Sequence, residues 1–438
     1  MHPLYPLGKN MLLEFSVKNF LSFKNEVTLS MYASAEVTEH EKYNVFSVGG
    51  QNVLRTAVIY GANASGKTNL IKAMKFMKNF VVNSLELQSE KEIDIEQFKL
   101  NTVNSPSEFE VTFLVSDVYY RYGFVIDAKR VHHEWLYHAP LEQEIRLFER
   151  KFDFDADTIE LGEMFKEGKP LVENKQPRLT RERALFLSVV SQFNGEISRK
   201  VMDWFTNDFK VLFATKEETF EGVSVKKLSN ALYKKEILKF LQAADTAIED
   251  IDWVTVKPQD ISGNVPDKLK QRLVSKGKML VTQHSVFNEA GFITDSVLWS
   301  MEDESEGTQK LFALSAPLIE TLEKGETLVV DELYSKLHPM IMRFIINLFH
   351  SKADNHAQLI FATHDTNLLS SRFFRRDQIC FTEKNQYGST DLYSLADYQL
   401  DDEPSEDRYK RDYFKGKYGA IPFIGELKSF FGDNDGER

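Results

Sequence analysis

Two glycines, a lysine and a hydroxyl residue fall together in Gly61-Ala62-Asn63-Ala64-Ser65-Gly66-Lys67-Thr68. Glycine, four residues, then Gly-Lys-Ser/Thr is the pattern of a loop that cradles phosphates. The chemistry needs this order. Gly66 lets backbone N–H groups approach phosphate oxygens, and a helix starting at the lysine turns its positive end toward them. Lys67 is then the residue that reaches the β- and γ-phosphates, and the Thr68 hydroxyl the one that ligates Mg²⁺. Gly61, Asn63, Ala64, Ser65 and Asn69 complete the expected nucleotide contacts.

Such a loop requires a carboxylate at the end of a neighbouring strand. Leu328-Val329-Val330-Asp331-Glu332 supplies one, an apolar run closed by two acids. Asp331 is placed to hold Mg²⁺ through water, and Glu332 to orient or deprotonate an attacking water. An Asp-Glu pair alone is a common strand ending; beside a phosphate loop it reads as the second half of a site. Phe361-Ala362-Thr363-His364-Asp365 is another apolar run, ending in a histidine able to donate to a γ-phosphate and report its presence. A single histidine in such a place is more often structural. The interval from Glu332 to His364 fits one helix and one return strand of a parallel βαβ unit.

These residues must be positioned by regular elements. Leu13, Phe15 and Val17 alternate with Glu14, Ser16 and Lys18, and Val27, Leu29 and Met31 form a second alternating stretch, which predicts two strands around a turn. Ala57 to Tyr60 reads as a short buried strand, and Leu70, Ile71, Met74, Met77, Phe80 and Val81 recur at helical spacing. Strand, glycine-containing loop, helix is the context the phosphate-loop motif needs. Between Glu92 and Arg150, runs such as Phe109-Val111-Phe113-Val115 and Tyr120-Tyr122-Phe124-Ile126 predict consecutive antiparallel strands. Residues 176–250 read as helical, and Lys257 to Gln283 as a polar loop or small exposed excursion. A helix from Thr308 to Leu322, a strand from Thr327 to Val330, a helix after Pro339 and a strand from Leu359 to Thr363 follow. The acids Asp401-Asp402-Glu403 and Glu406-Asp407 beside Pro404 read as a solvated linker.

The chain has 438 residues, 42% hydrophobic and 27% charged, enough to bury a large core and a length that suits about three domain-sized units. This excludes a disordered, collagenous or small disulfide-stapled protein. No apolar run approaches the roughly 18 residues of a membrane helix, and no signal-peptide pattern opens the sequence. With one cysteine, Cys380, no internal disulfide can form; it reads as a small apolar filler, and a reducing, cytoplasmic location is expected. The net charge is −12, so any nucleic acid must be bound by a local patch. Three basic groups qualify, each with a plainer reading as a solvated face or a protein contact: Arg372, Arg375 and Arg376 around Phe373-Phe374; Arg408 to Lys417; and Arg178, Arg181 and Arg183.

Two further segments carry a family resemblance. Ser305-Glu306-Gly307-Thr308-Gln309, directly before a helix, resembles the signature motif of ABC-type ATPases, and Ser335-Lys336-Leu337-His338-Pro339 resembles their D-loop in the Leu-His-Pro form of the RecF, SMC and OLD-like branch. Phe15 to Phe23 is similar to that branch's first strand and turn. Tyr413 to Pro422 is similar to the tail of stand-alone AAA-type ATPases of abortive-infection, RloA-like and PARIS AriA-like anti-phage systems. The signature departs from that of transporters in lacking a second glycine. Gln97 is the candidate for the Q-loop, a further metal ligand in the family, with a surface role as the alternative.

The resemblance implies an α/β fold of the P-loop NTPase class: an ABC-type head, with a mixed sheet flanked by helices, and an inserted β-rich and helical lid. The absence of sustained heptads argues against a long coiled coil in the insertion. The expected organisation is an N-terminal ATPase lobe over 1–150, a mainly helical insertion over 151–290, a C-terminal ATPase lobe over 291–400 and a tail over 401–438. ATP and Mg²⁺ are the implied cofactors. The implied assembly is a head-to-tail dimer or higher oligomer, in which Ser305, Gly307, Thr308 and Gln309 act in trans on a partner's nucleotide, assisted by Ser335 and His338. Too few residues follow His364 for a TOPRIM nuclease domain, so a separate effector, a nuclease or toxin, is expected. The alternative is a RecF-like ATPase that binds DNA during repair; a transporter subunit fits less well.

Overall fold

Alternation along the chain becomes burial in the computed structural model, which describes residues 10–86, 91–102, 105–139, 143–153, 156–172, 180–213, 217–244, 247–255, 278–351, 356–399 and 407–422. In chain order the strands are β1 (Met11–Lys18), β2 (Val27–Ser30), β3 (Val45–Val48), β4 (Gln51–Leu54), β5 (Thr56–Tyr60) and β6 (Ser107–Val115). They continue with β7 (Val118–Ile126), β8 (Val131–Ala139), β9 (Ile145–Asp153), β10 (Ala156–Leu161), β11 (Phe209–Phe213) and β12 (Ile248–Thr255). The last are β13 (Lys278–Phe287), β14 (Ile293–Ser300), β15 (Thr327–Asp331), β16 (Gln358–Ala362), β17 (Ile379–Lys384) and β18 (Thr390–Ser394).

The first sheet has seven strands in the order β10-β9-β8-β7-β6-β1-β2, all antiparallel. The second has six in the order β11-β15-β16-β5-β17-β18; every pairing is parallel except that of β17 with β18. Smaller sheets join β12-β13-β14 and β3-β4. The parallel strands read as continuous apolar runs because the sheet is covered on both sides. Ala57, Ile59, Val329 and Ile360 share a core with the antiparallel sheet and with Leu70, Met74 and Met77 of the helix Lys67–Asn83. Val58, Tyr60, Val330 and Phe361 face a second core with the helices Glu306–Lys324 and Pro339–Ser351. The layered α/β architecture with its inserted strands and helices is the one expected.

Several phenylalanines fill the seam between the sheets. Phe113 stacks on Trp204 with ring centroids 4.1 Å apart, and Phe109 packs against Phe20, Phe76 and Phe124. Such rings bury large apolar areas and prefer these offset and edge-on geometries.

Two segments differ from expectation. The interval 176–250, read as helical, contains the helices Phe186–Gln192, Glu196–Asp203, Glu217–Lys227 and Ala231–Ala244, but also β11, which pairs with β15 and completes the parallel sheet. A five-residue run that is apolar but for Lys210 cannot be told from a piece of buried helix by periodicity. Lys278 to Gln283, assigned to the polar loop, belong to β13 instead, paired on both sides by β12 and β14. The rest of that loop, and the acidic run at 401–406, lie outside the described residues.

The helix Glu306–Lys324 contains Pro317, which has no N–H to give the Ala313 carbonyl. The buried Ser224 hydroxyl donates to that carbonyl at 3.1 Å, so the neighbouring helix Glu217–Lys227 supplies the missing bond. At the C-terminus Gly325 adopts φ +72°, the left-handed cap that ends a helix.

Beneath β5 lies a buried polar cluster. Gln378 donates its amide to Thr56 Oγ1 at 2.7 Å, and Thr56 Oγ1 lies 3.0 Å from His350 Nε2. Burial, reinforced by Arg55 and His40, pushes the His350 pKa down to about 3, so the ring is neutral in the fold. Below its ordinary pKa near 6.5, the unfolded chain binds a proton at this residue that the folded chain does not. Stability is therefore retained above pH 6.5 and lost toward pH 3, at up to about 1.4 kcal/mol per pH unit from this group. His350→Gln is expected to flatten that acid limb, checked by urea unfolding of both proteins at pH 7 and pH 5.

Candidate active site

The phosphate loop leaves β5 at Tyr60 and enters the helix Lys67–Asn83 at Gly66. Gly66 has φ +118°, and a Cβ there would lie 2.5 Å from Thr390 Oγ1, so conformation and space both require glycine. Hydroxyls from distant segments hold the loop. Ser65 Oγ lies 2.7 Å from Thr382 Oγ1, and the Thr390 hydroxyl donates to the Ser65 carbonyl at 2.8 Å. Asn69 donates its side-chain amide to Ser22 Oγ at 2.8 Å, tying the turn between β1 and β2 to the first helical turn.

Around the loop opens a cleft of about 400 Å³, lined on one side by Asn63 to Asn69 and on the other by Asp331, Glu332, Tyr334 and His364, with Lys384 at its edge. The expected nucleotide-binding residues from Asn63 to Asn69, both strand-end acids and the strand-end histidine are thus brought together. Gly61 sits just beneath, its carbonyl accepting from Lys67 Nζ at 2.8 Å, while Ala62 accepts from the same amine at 2.9 Å. Burial pushes the Lys67 amine down to about 8, against the raising influence of Asp331 and Glu332.

Asp331 is buried, and its carboxyl is pushed up by burial and by Glu332, while the Thr68 hydroxyl and Lys67 draw it down. Its Oδ1 has no hydrogen-bond partner within the protein, in a cleft it shares with the Thr68 hydroxyl. A buried, unpartnered carboxylate oxygen beside a hydroxyl fits Mg²⁺, a hard cation taking oxygen ligands. Among the described residues, no group of three or more His, Cys, Asp or Glu side chains forms a metal cage. An ion held by few protein oxygens together with substrate phosphates is the usual arrangement for Mg²⁺.

Glu332 has φ +51°, the left-handed region that non-glycine residues rarely occupy and that clusters at functional sites. His364 is half-buried. Burial and the Lys67 charge push its imidazole pKa down, against the raising influence of Glu332 and of a hydrogen bond to the Gly61 backbone. Tyr334 stands edge-on to it, ring centroids 6.0 Å apart, its phenol pushed up to about 12 by burial and Glu332.

The Ser305–Gln309 segment lies apart from this cleft. Ser305 caps the helix Glu306–Lys324, its Oγ accepting from Thr308 N at 3.1 Å, and Gln309 donates its side-chain amide to the Glu304 carbonyl at 2.8 Å. None of Ser305, Gly307, Thr308 and Gln309 lines the cleft of its own chain. Gly307 runs close to the D-loop-like segment: a Cβ there would sit 3.0 Å from the Lys336 carbonyl. Within that segment Ser335 accepts from Lys310, and His338 Nδ1 accepts from Met340 N at 3.2 Å, capping the helix Pro339–Ser351.

Gln97 is not brought into the cleft. It donates its amide to the Ser105 carbonyl at 2.8 Å and so fastens one loop to another, which corrects its reading as a metal ligand. Sequence reasoning missed Tyr334 and Lys384, which line the cleft, and Lys310. Lys310 Nζ is buried and donates to the Glu332 carbonyl at 3.0 Å and to Ser335 Oγ at 2.5 Å, joining the Ser305 helix to the strand-end acid. Its place one residue after Gln309 was the available signal.

The basic clusters are largely committed to the fold. Arg375 is buried and pairs bidentately with Asp377, at 2.9 and 2.7 Å, while donating to the Ser34 and Glu39 carbonyls. Arg376 reaches Glu39 at 3.2 Å. Arg408, Arg411 and Lys417 converge on Asp412. Arg181 and Arg183 donate to main-chain carbonyls of Leu85, Lys129 and Lys91; Arg178 lies outside the described residues. Next to the Asp412 cluster, Tyr413 and Tyr418 stack on Phe381, each with ring centroids 5.7 Å apart, and dock the tail behind the cleft.

A family model described as "AAA domain, putative AbiEii toxin, Type IV TA system" matches residues 57–370. No curated protein matches the chain. Among solved structures, an SMC head bound to the C-winged helix domain of ScpA is similar at 13% identity and TM-score 0.40, covering 87% of this chain and 97% of its own. The SMC head domain of Thermotoga maritima is similar at 11% identity and TM-score 0.39, covering 89% and 99%. The head of Pyrococcus furiosus Smc, with an extended coiled coil and bound to the C-terminal domain of ScpA, is similar at 9% identity and TM-score 0.40, covering 93% and 100%.

Lys67→Ala is expected to abolish nucleotide binding, measured by titration with a fluorescent ATP analogue; unchanged affinity would remove the loop's assignment. Lys310→Met withdraws the donor to the Glu332 carbonyl. Its expected effect is a fall of at least about ten-fold in kcat, with ATP affinity kept within about two-fold, read from steady-state turnover beside equilibrium binding.

Proposed function

The chain belongs to the AAA-domain family described above, and on that premise we propose that it is an ATP-driven, self-associating switch of a bacterial anti-phage system, controlling a separate nuclease or toxin. Family membership implies ATP binding and hydrolysis with Mg²⁺. The finer reading assigns roles to this chain's own groups. Loop amides and Lys67 hold the phosphates, and Thr68 with Asp331 hold the metal. Glu332 takes the proton of the attacking water, and His364 donates toward the γ-phosphate, whose negative charge favours the protonated ring. Mg²⁺, when bound, neutralises phosphate charge.

The observation that carries self-association is the separation of Ser305 and Gly307 from their own cleft. Ser305 caps an exposed helix start whose first turn has no phosphate to meet within the chain. A second copy, turned head to tail, would bring it onto a bound nucleotide, making ATP part of the interface and hydrolysis a means of releasing it. The words "AbiEii toxin" and "Type IV TA system" in the family's description support a toxin-linked, abortive-infection setting. The tail's likeness to RloA-like and AriA-like ATPases supports the same setting. A cytoplasmic site accords with a buried, unbridged Cys380 and with the lack, among the described residues, of any helix long and apolar enough to cross a membrane. The DNA-repair reading loses support from its best basic candidate, because Arg375 is buried against Asp377.

The test is the native mass of Glu332→Gln, purified with ATP and Mg²⁺ from cells carrying the chain's own genomic neighbourhood. The expected result is an assembly above two subunits containing a second polypeptide, with turnover reduced at least about a hundred-fold. A bare dimer would favour the DNA-acting reading, and a monomer with ATP bound would end the trans-acting one.

A further inference from the structure

At the edge of the cleft lies a cation that the roles above do not use. Lys384 is the last residue of β17, is exposed, and makes no ion pair or side-chain hydrogen bond among the described residues. Of the other basic side chains near the cleft, Lys67 already has its role on the phosphates, and Lys310 donates to Glu332 and Ser335.

Its backbone is firmly placed. Lys384 pairs across the hairpin with Thr390, the residue that packs on Gly66 and donates to the Ser65 carbonyl. The hairpin turn is closed by Asn385, whose side chain accepts from Tyr387 N and Ser389 N, and Thr390 N donates to the Ser22 carbonyl at 2.8 Å. A lysine on such a support can swing its head group over the cleft while its Cα stays fixed relative to the phosphate loop.

The order of strands tells which part of a nucleotide it meets. Across the parallel sheet run β15, carrying Asp331 at its end with Glu332 next, then β16, followed by His364, then β5, leading into the loop, and then β17 with Lys384. The metal and water-activating groups mark the γ-phosphate side. Lys384 stands on the opposite side of the loop, so a polyphosphate whose γ end lay by Asp331 would run past it toward the α end. We propose that Lys384 is a nucleotide-positioning residue that binds the α-phosphate end of the polyphosphate, contributing equally to ATP and ADP and not to the chemical step. This rests on the reading of the cleft as an ATP site.

Uniform binding of substrate and product changes affinity without changing turnover at saturation. Lys384→Met keeps most of the aliphatic stem and removes the charge. At an exposed strand end the variant is expected to fold, and an unchanged melting temperature checks this. The expected result is a Kd for both ATP and ADP raised by the same factor, roughly ten-fold for one charge-assisted hydrogen bond, with kcat at saturating ATP within about two-fold of the native chain. Lys384→Arg should restore most of the affinity. Weakened ATP with unchanged ADP would place the lysine at the γ-phosphate and overturn the assignment, as would native affinity for both. If the native chain binds neither nucleotide, the ATP reading itself falls; native binding that is unaltered in Lys384→Met overturns this inference alone.

Discussion

A phosphate loop is a stretch of backbone whose N–H groups must be left facing outward, so something else has to hold it in shape. Here that task falls to side-chain hydroxyls from segments remote in sequence. Thr382 and Thr390 grip Ser65 from the last hairpin of the parallel sheet, and Ser22 receives Asn69 from the turn after the first strand. Two segments remote from each other in sequence, around Ser22 and from Thr382 to Thr390, are thereby drawn to the same cleft. β17 must return beside β5, and the antiparallel sheet must lie over the first turn of the Lys67 helix. The Phe-rich seam between the sheets makes that second demand favourable, because the rings Phe20, Phe76 and Phe109 bury one another where the turn meets the helix.

The same economy governs the far side of the sheet. The Ser305 helix is joined to the strand-end acid by Lys310 and to the inserted helix Glu217–Lys227 by the Ser224–Ala313 bond that Pro317 makes necessary. A proline in a helix interior usually costs about 3 kcal/mol, part of it from the orphaned carbonyl. Here a neighbouring helix satisfies that carbonyl. The Ser305 helix is thus bonded both to the carbonyl of Glu332, whose backbone is left-handed, and to the insertion.

How much of this was legible depended on whether a feature had a local signature. The loop, the two strand-end acids and His364 are recognisable because each ends an apolar run, and that run is what delivers them to a common cleft. β11 was not legible: Phe209 to Phe213 is apolar but for Lys210, is too short to show a period, and lies among helices. Gln97 was misplaced because a glutamine amide satisfies a loop carbonyl as readily as a metal, and only the fold shows that Ser105 is its neighbour. Arg375 looked like a surface cation because an arginine two residues from an aspartate gives no hint that both are buried. Lys384 and Lys310 are lysines among 54 basic residues, and only topology distinguishes them.

The cleft's charges explain why an acidic chain can still take a polyanion. Lys67 and Lys384 face Asp331 and Glu332 across about 400 Å³, so the cleft's own side chains are close to balanced in charge. Attraction for phosphate then comes from oriented dipoles, the loop amides and the helix start, which act at short range and are unaffected by the chain's overall charge of −12. The two acids have the opposite effect: they repel a bare polyphosphate and attract it once a divalent cation is carried with it. Burial of Asp331 sharpens this, since an unpartnered carboxylate oxygen in a low-dielectric site is costly until a cation arrives. Glu332, next in sequence and with a left-handed backbone, adds its charge to this cost by pushing the Asp331 carboxyl pKa further up. With Asp331 read as the metal's ligand, selection for a metal-bound nucleotide would follow from where the strand ends.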